Sequence, residues 1–257
     1  MNKPNKDIIE NMLREAGVLA LEYFHQGVTH TEKSGPRDWV TPADHAVSDF
    51  LIQKIEAAFP DHAIHSEERS EDIHAGADWE WVIDPIDGTH NFANQIPFWC
   101  MLLAVQYKGE TLFGAVYNPV ANEFFFAEKG KGATKNGKLV RIPDHVEIEK
   151  ISVHFQVSKR SKYNEQFVGA FIKFIEENKW TPKRMGCMLP MANLADGSVD
   201  AFMSSNLADH DVLAPKLIVE EAGGVICDYK GDPWQRGVSN IIVTHPDLKE
   251  WALAYFK

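Results

Sequence analysis

The stretch Trp79-Glu80-Trp81-Val82-Ile83-Asp84-Pro85-Ile86-Asp87-Gly88-Thr89 decides how this chain folds and where its chemistry sits. Trp79 to Ile83 predicts a strand. Pro85 ends its pairing, because proline has no N–H to give to a neighbouring strand. Gly88 permits a backbone conformation closed to other residues, so the chain turns sharply there. That turn can aim the carboxylates of Asp84 and Asp87, with the Ile86 carbonyl between them, at one point. Hard oxygen donors without His or Cys suit Mg²⁺, which keeps several waters and bridges to phosphate oxygens. Thr89 then opens a short helix, 89–94, whose free N–H groups suit an anion. An isolated Asp-Pro pair is ordinary turn chemistry. Two acids, a proline, a glycine and a hydroxyl in six residues are not.

Upstream, Ile8, Ile9, Met12, Leu13, Ala16, Leu19, Ala20, Tyr23 and Phe24 recur at helical spacing, with Gly27 as the stop. Thr41-Pro42-Ala43-Asp44 announces a second helix that runs to Pro60: Thr41 caps it, Pro42 fits its first position and Asp44 faces the positive end of its dipole. Downstream, 98–107 and 111–118 form a hairpin around Lys108-Gly109-Glu110. A further strand at 123–127 leads into turns at Gly130, Gly132 and Asn136-Gly137. The second half alternates differently: strands at 151–155, 199–203, 225–228 and 241–244, helices at 167–175, 188–195 and 212–222, and a last helix after Pro246. No repeat, low-complexity tract or linker interrupts it. The economical division is two packed halves, 1–145 with most of the candidate ligands and 146–257 with Asp211.

Composition narrows the function classes. The 257 residues are 44% hydrophobic, enough for a substantial core. Lys and Arg sum to 26 against 37 Asp and Glu, a formal charge of −11. That excess argues against nucleic acid or an anionic membrane as partner, unless metal ions stand between the protein and an anion. Cys100, Cys187 and Cys227 form no C-x-x-C pair and read as thiols of a reducing compartment. The first residues lack a signal-peptide core, and the longest apolar run, 98–105, is far short of the roughly 18 residues of a membrane span. A cytoplasmic location is expected.

Taken together, 81–92 and the later Asp211-Val212-Leu213-Ala214-Pro215-Lys216-Leu217-Ile218-Val219-Glu220-Glu221-Ala222-Gly223-Gly224 resemble the two signatures of the inositol monophosphatase family. Lys33-Ser34, Asp38 to Asp44 and Ser66-Glu67-Glu68 match it in order and spacing. The resemblance spans essentially the whole chain. It implies an alternating α/β/α/β/α sandwich of the inositol monophosphatase and fructose-1,6-bisphosphatase type. It also implies a homodimer that hydrolyses small phosphorylated metabolites with two or three Mg²⁺ per site, and sensitivity to lithium. Carried over residue by residue, Glu67, Asp84, the Ile86 carbonyl, Asp87 and Asp211 would hold the metals. Thr89 and Glu67, with Asp44 beside Thr89, would activate water. Gly88 and Thr89 would meet phosphate, and Lys33 would stand beside the outer metal. Asp87, Asp211, Gly186, Cys187 and Ser204 would lie at the substrate, Ser204 standing where characterised inositol phosphatases carry an acid for substrate hydroxyls.

The chain also departs from the pattern. His210 replaces the usual Trp before Asp211, and Pro215 enters the first turn of the following helix. The segment 184–190 is one residue short where the leaving group is chosen. Histidinol phosphate, fructose bisphosphate and 3′-phosphonucleotides are therefore rival substrates, and a catalytically silent relative that binds a phosphometabolite is the alternative of another class. Other signals have plain structural explanations. The run 128–132 is a solvated hairpin, His62 and His65 are surface or capping histidines, Trp79, Trp81 and Trp99 belong to the core, and Cys187 is inert.

Overall fold

The computed structural model describes residues 3–33, 35, 38–157, 164–178 and 182–257. In chain order its elements are α1 (Lys6–Gln26), β1 (Thr31–Glu32), β2 (Trp39–Val40), α2 (Pro42–Ala58), β3 (Ala63–Ser66), β4 (Trp79–Asp87), α3 (Thr89–Ala93), β5 (Cys100–Tyr107), β6 (Glu110–Asn118), β7 (Glu123–Glu128), β8 (Ala133–Lys135), β9 (Lys138–Val140), β10 (Val153–Val157), α4 (Asn164–Asn178), α5 (Leu189–Ala192), β11 (Ala201–Ser205), α6 (Asp209–Glu221), β12 (Val225–Cys227), β13 (Asn240–Thr244) and α7 (Lys249–Leu253). A seven-stranded sheet is ordered β3-β4-β5-β6-β7-β8-β9, and a four-stranded sheet β10-β11-β13-β12.

Period-two burial builds the layers. Along β5, Met101, Leu103 and Val105 join the core beneath α1 and α2, while Cys100, Leu102 and Ala104 join the core shared with α5 and α6. The second sheet repeats the device: Phe202, Ile241 and Val243 face that same middle core, and Ala201, Met203 and Ile242 face a third, under α4 and α7. The order of layers is therefore helix, sheet, helix, sheet, helix, the expected α/β/α/β/α sandwich. Residues 1–145 supply the first sheet and 146–257 the second, but α5 and α6 lie between the two. Their approach is close: a Cβ at Gly114 of β6 would sit 2.5 Å from the Ala214 carbonyl oxygen of α6.

The local rules hold at both first helices. Gly27 closes α1 with φ +74°, and Thr41 and Asp44 form a reciprocal capping box on α2. The turn at Lys108-Gly109 has φ +51° and +79°, as a two-residue hairpin requires.

Four expectations need correction. Strand β4 does not stop at Pro85; pairing breaks there and resumes with Asp87 opposite Cys100. Helix α6 begins at Asp209, so Asp211 stands within its first turn and Pro215 lies inside the helix. His62 is no surface residue: it is buried and accepts the Trp81 indole N–H at 3.0 Å. Trp81 and Trp99 are fully buried as expected, whereas Trp79 is only half-buried.

Candidate active site

Two elements from different halves of the chain bring three acids together. Asp84 and Asp87 come from β4, Asp211 from α6, and one carboxylate oxygen of each lies within 4.8 Å of the others. On a regular strand, residues three apart face opposite ways. Here Asp84 pairs with Leu102 and Asp87 with Cys100, so β4 carries one residue more than its partner. That bulge, forced by the missing N–H of Pro85, brings the two acids to one side. Gly88 follows in the left-handed region at φ +94°, and a Cβ there would stand 3.0 Å from the Cys187 Cβ. Both backbone and space demand glycine.

The three acids are held by backbone donors. The Asp84 Oδ1 accepts the Ile86 N–H at 3.1 Å, and the Asp211 Oδ2 accepts the Ala208 N–H at 2.6 Å. The Asp87 Oδ2 accepts the Met188 N–H and, at 3.1 Å, the Cys100 thiol. Burial, followed by the charges of Glu67, Asp87 and Asp211, pushes Asp84 well above the usual carboxylate range. Asp87 is pushed up to about 8 by burial and then by Asp211, with the Met188 N–H and the Cys100 thiol pulling the other way. Such a cluster resists ionisation until a cation arrives. Oxygen donors crowded this way fit a hard divalent ion, and Mg²⁺ fits by donor chemistry.

Glu67 follows β3, its N–H bonded to the Ile83 carbonyl at 3.1 Å. It lies outside the three-acid group, yet its charge is the first after burial to act on Asp84. Its Oε1 accepts from Lys33 Nζ at 3.1 Å, and Glu68 Oε1 takes the same ammonium at 2.6 Å. Burial works against the Lys33 charge, yet Glu67 and Glu68 carry its pKa above the ordinary lysine value. Burial pushes Glu68 up to about 7. Thr89 Oγ1 stands 3.2 Å from both Asp44 Oδ1 and the Ile86 carbonyl oxygen, and its single proton can go to either. Asp44, also raised by burial, is fixed by the Thr41 N–H at 2.8 Å and the Thr41 hydroxyl at 2.6 Å.

Placement is less direct toward the substrate side. Gly186 is exposed, with φ +77°, while Cys187 beside it is fully buried. Ser204 is a correction: it is fully buried within β11 and its hydroxyl donates to the Gln156 carbonyl at 2.7 Å, so it offers no free group to a substrate. His210 stacks on His65 with ring centroids 5.9 Å apart, filling room where the family pattern has Trp. Asn91 was not singled out from sequence, yet its amide donates to the Phe98 and Met185 carbonyls at 2.6 and 2.7 Å and ties α3 to the segment before α5. Cys100 was also missed, since nothing in its local sequence announces a carboxylate neighbour. A separate cleft of about 490 Å³ opens beside α6, lined among others by Gln106, Lys216, Trp234 and Arg236, and none of the three acids lines it.

The model of the inositol monophosphatase family matches residues 2–257. The chain belongs to that family. It is 32% identical over 254 residues to the Nus factor SuhB of Salmonella typhimurium, covering 98% of this chain and 95% of that protein. Among solved structures, the extragenic suppressor protein suhB of Bartonella henselae superposes with TM-score 0.89 at 26% identity, covering 98% and 97% of the two chains. The Thermotoga maritima IMPase superposes with TM-score 0.87 at 30% identity, covering 97% and 95%. The name Nus factor gives no support to the exclusion of nucleic acid drawn from net charge, and that exclusion is withdrawn. Among the described residues no helix is long and apolar enough to cross a membrane.

Proposed function

We propose that this family member is a Mg²⁺-dependent phosphomonoesterase that hydrolyses a small phosphate monoester of the inositol 1-phosphate kind to its alcohol and inorganic phosphate. The observation that carries the reading is the convergence of Asp84, Asp87 and the half-buried Asp211; Asp84 and Asp87 are buried, and the strongest charges acting on those two are other acids. Together with Glu67 and the Ile86 carbonyl they would hold two or three Mg²⁺. Bound metal supplies a water of lowered pKa and positive charge for the phosphoryl and leaving oxygens.

The chain's own groups do the rest. Thr89 Oγ1 directs its proton toward Asp44 or the Ile86 carbonyl, which leaves a lone pair to accept a proton from water. Asp44 is fixed by Thr41 and so holds that hydroxyl in one orientation. In this reading Glu67 orients the same water. The N–H groups of Gly88 and Thr89 precede the first hydrogen-bonded turn of α3 and are available to phosphate oxygens. Gly186, exposed and tied to α3 through Asn91, borders the leaving group. Lys33 binds Glu67 and Glu68 together and offsets part of their charge at the outer edge. Homodimerisation, lithium sensitivity, a cytoplasmic location and the division at 145/146 belong to the same proposal, as do histidinol phosphate, fructose 1,6-bisphosphate and 3′-phosphonucleotides as rival substrates.

The test is phosphate release from a panel of inositol, histidinol, sugar and nucleotide monophosphates, with Mg²⁺ and with chelator. At least one substrate is expected to turn over only with Mg²⁺. Turnover that survives chelation contradicts the mechanism. The name of the Nus factor relatives favours a second reading, a catalytically silent member that works by binding; no turnover on the whole panel by a protein that still binds Mg²⁺ would select it.

A further inference from the structure

Asp87 has a second set of neighbours that the phosphatase reading leaves unused. Cys100 opens β5 and Cys187 precedes α5; both are fully buried. One donor atom each from Asp87, Cys100 and Cys187 lies within 4.8 Å of the other two. The Cys100 thiol donates to Asp87 Oδ2 at 3.1 Å, and the Cys187 sulfur lies within 4.8 Å of the Cys100 sulfur. The arrangement is built in by the fold, because the bulge of β4 sets Asp87 opposite Cys100 and Gly88 lets the backbone close on Cys187. Buried cysteines are ordinarily apolar fillers. These two instead turn their sulfurs toward each other and toward a carboxylate.

We propose that Cys100, Cys187 and Asp87 form a binding site for a thiophilic divalent cation of the zinc or cadmium type, set back to back with the carboxylate centre and sharing Asp87 with it. Donor chemistry separates the two sites. Sulfur ligands select zinc-like ions over Mg²⁺, whereas Asp84 and Asp211 offer only hard oxygen. Tetrahedral zinc with sulfur at about 2.3 Å and oxygen at about 2.0–2.2 Å sets its ligand atoms roughly 3.5–3.8 Å apart, so the Cys100 sulfur and Asp87 Oδ2, now 3.1 Å apart, open by about half an ångström to admit the ion. Asp87 is 7% exposed and Gly186, beside Cys187, is open to solvent, which gives the ion an approach. On binding, each thiol gives up its proton to solvent and both sulfurs bond to the metal; below about pH 8 the Asp87 carboxyl releases its proton as well, so two protons leave from the thiols and a third from Asp87, and no oxidant is needed. An ion held there engages Asp87 and so opposes Mg²⁺ at the carboxylate centre. That last clause rests on the phosphatase reading; the binding itself does not.

The test is a cadmium titration of the full chain in excess Mg²⁺, read by thiolate-to-metal absorption in the ultraviolet and by calorimetry. One Cd²⁺ per chain is expected, with the absorption band. Cys100→Ser and Cys187→Ser should each abolish the band and weaken binding by more than the roughly 10–100-fold that changes outside a metal's own ligands cost. Cys227→Ser should change neither, because Cys227 lies in the core beneath α4 and α7. A melting curve for each variant, with Cys100→Ala beside Cys100→Ser, separates lost ligation from lost folding. Cadmium bound without the band, or bound at full affinity by the Cys100→Ser/Cys187→Ser double variant, would overturn the site. A chain that never releases phosphate but keeps the cysteine-dependent band sustains the site and removes only the phosphatase reading.

Discussion

Strand β4 and helix α6 meet at two places, and the two contacts are built in opposite ways. At the first, Glu80 of β4 and Asp209 of α6 share Arg236. The guanidinium donates to both Glu80 oxygens at 2.5 and 3.0 Å, to Asp209 Oδ2 at 2.8 Å and to the Gln106 amide oxygen at 2.8 Å. The Gly237 N–H adds a bond to Asp209 Oδ1 at 2.8 Å. Four residues farther along β4 and two farther along α6, Asp84 and Asp211 meet with Asp87. Among the described residues no lysine or arginine pairs with Asp84 or Asp87, and the charges that act most strongly on both are carboxylates. The same two elements thus carry a closed ion cluster and one left open at its two β4 acids. Where the contact only has to hold, the chain supplies its own cation; where, in the proposed reading, it has to bind, the cation would come from outside.

The largest effect should come from altering the open cluster. Asp84→Asn is expected to lower phosphate release by at least about 10²–10³-fold, the loss typical of removing one preorganised charge partner. The same change should raise the melting temperature of the metal-free protein, because it removes a buried carboxyl that must be kept protonated among other acids. Next, Mg²⁺ at 100 times its dissociation constant should stabilise the wild-type chain by about 2.7 kcal/mol and should do far less for Asp84→Asn, as thermal melts with and without the ion will show.

The closed cluster should respond more mildly. Arg236 is 39% exposed, so Arg236→Ala is expected to cost about 1–2 kcal/mol, below the cost of breaking a fully buried pair. It should also raise the Mg²⁺ concentration needed for half-maximal turnover, since Asp209 and Asp211 share one helical turn. Arg236→Lys should recover only part of this, because lysine cannot make the two-pronged bond to Glu80. A stability loss with an unchanged Mg²⁺ requirement would show that the two contacts are independent. The smallest effect concerns pH. In the metal-free chain Asp87 titrates near 8 against an unfolded value of 3.8. The folded state therefore holds this proton more tightly; its contribution to stability is complete below the unfolded value and is lost as pH rises toward 8. Denaturant melts across that range should show the decline, and Mg²⁺ should flatten it.

Much of this was legible in the residues. Asp84-Pro85-Ile86-Asp87-Gly88-Thr89 announces its own turn, and Thr41-Pro42-Ala43-Asp44 its own cap, because proline, glycine and capping side chains act over a few residues. Layer order followed from the resemblance alone; β5 is apolar on both faces, so the division of its residues between two cores shows only in the structure. What escaped depends on contacts between distant segments. Nothing near Pro85 shows that β4 resumes pairing after a bulge, since that depends on Cys100 across the sheet. The buried Ser204, the Arg236 clamp and the thiol pair beside Asp87 each join positions far apart in the chain, and no local pattern encodes them. The start of α6 was misplaced by three residues because Asp209 and Asp211 both suit a first turn.

The central claim is that the acids shared by β4 and α6 form a divalent-metal site required for phosphomonoester hydrolysis. Its most direct test is to count Mn²⁺, as a spectroscopic substitute for Mg²⁺, bound per chain in wild type, Asp84→Asn and Asp211→Asn while phosphate release is measured in the same samples. Bound metal and turnover should fall together in both variants. Phosphate release that persists in either variant after its metal is lost would contradict the account.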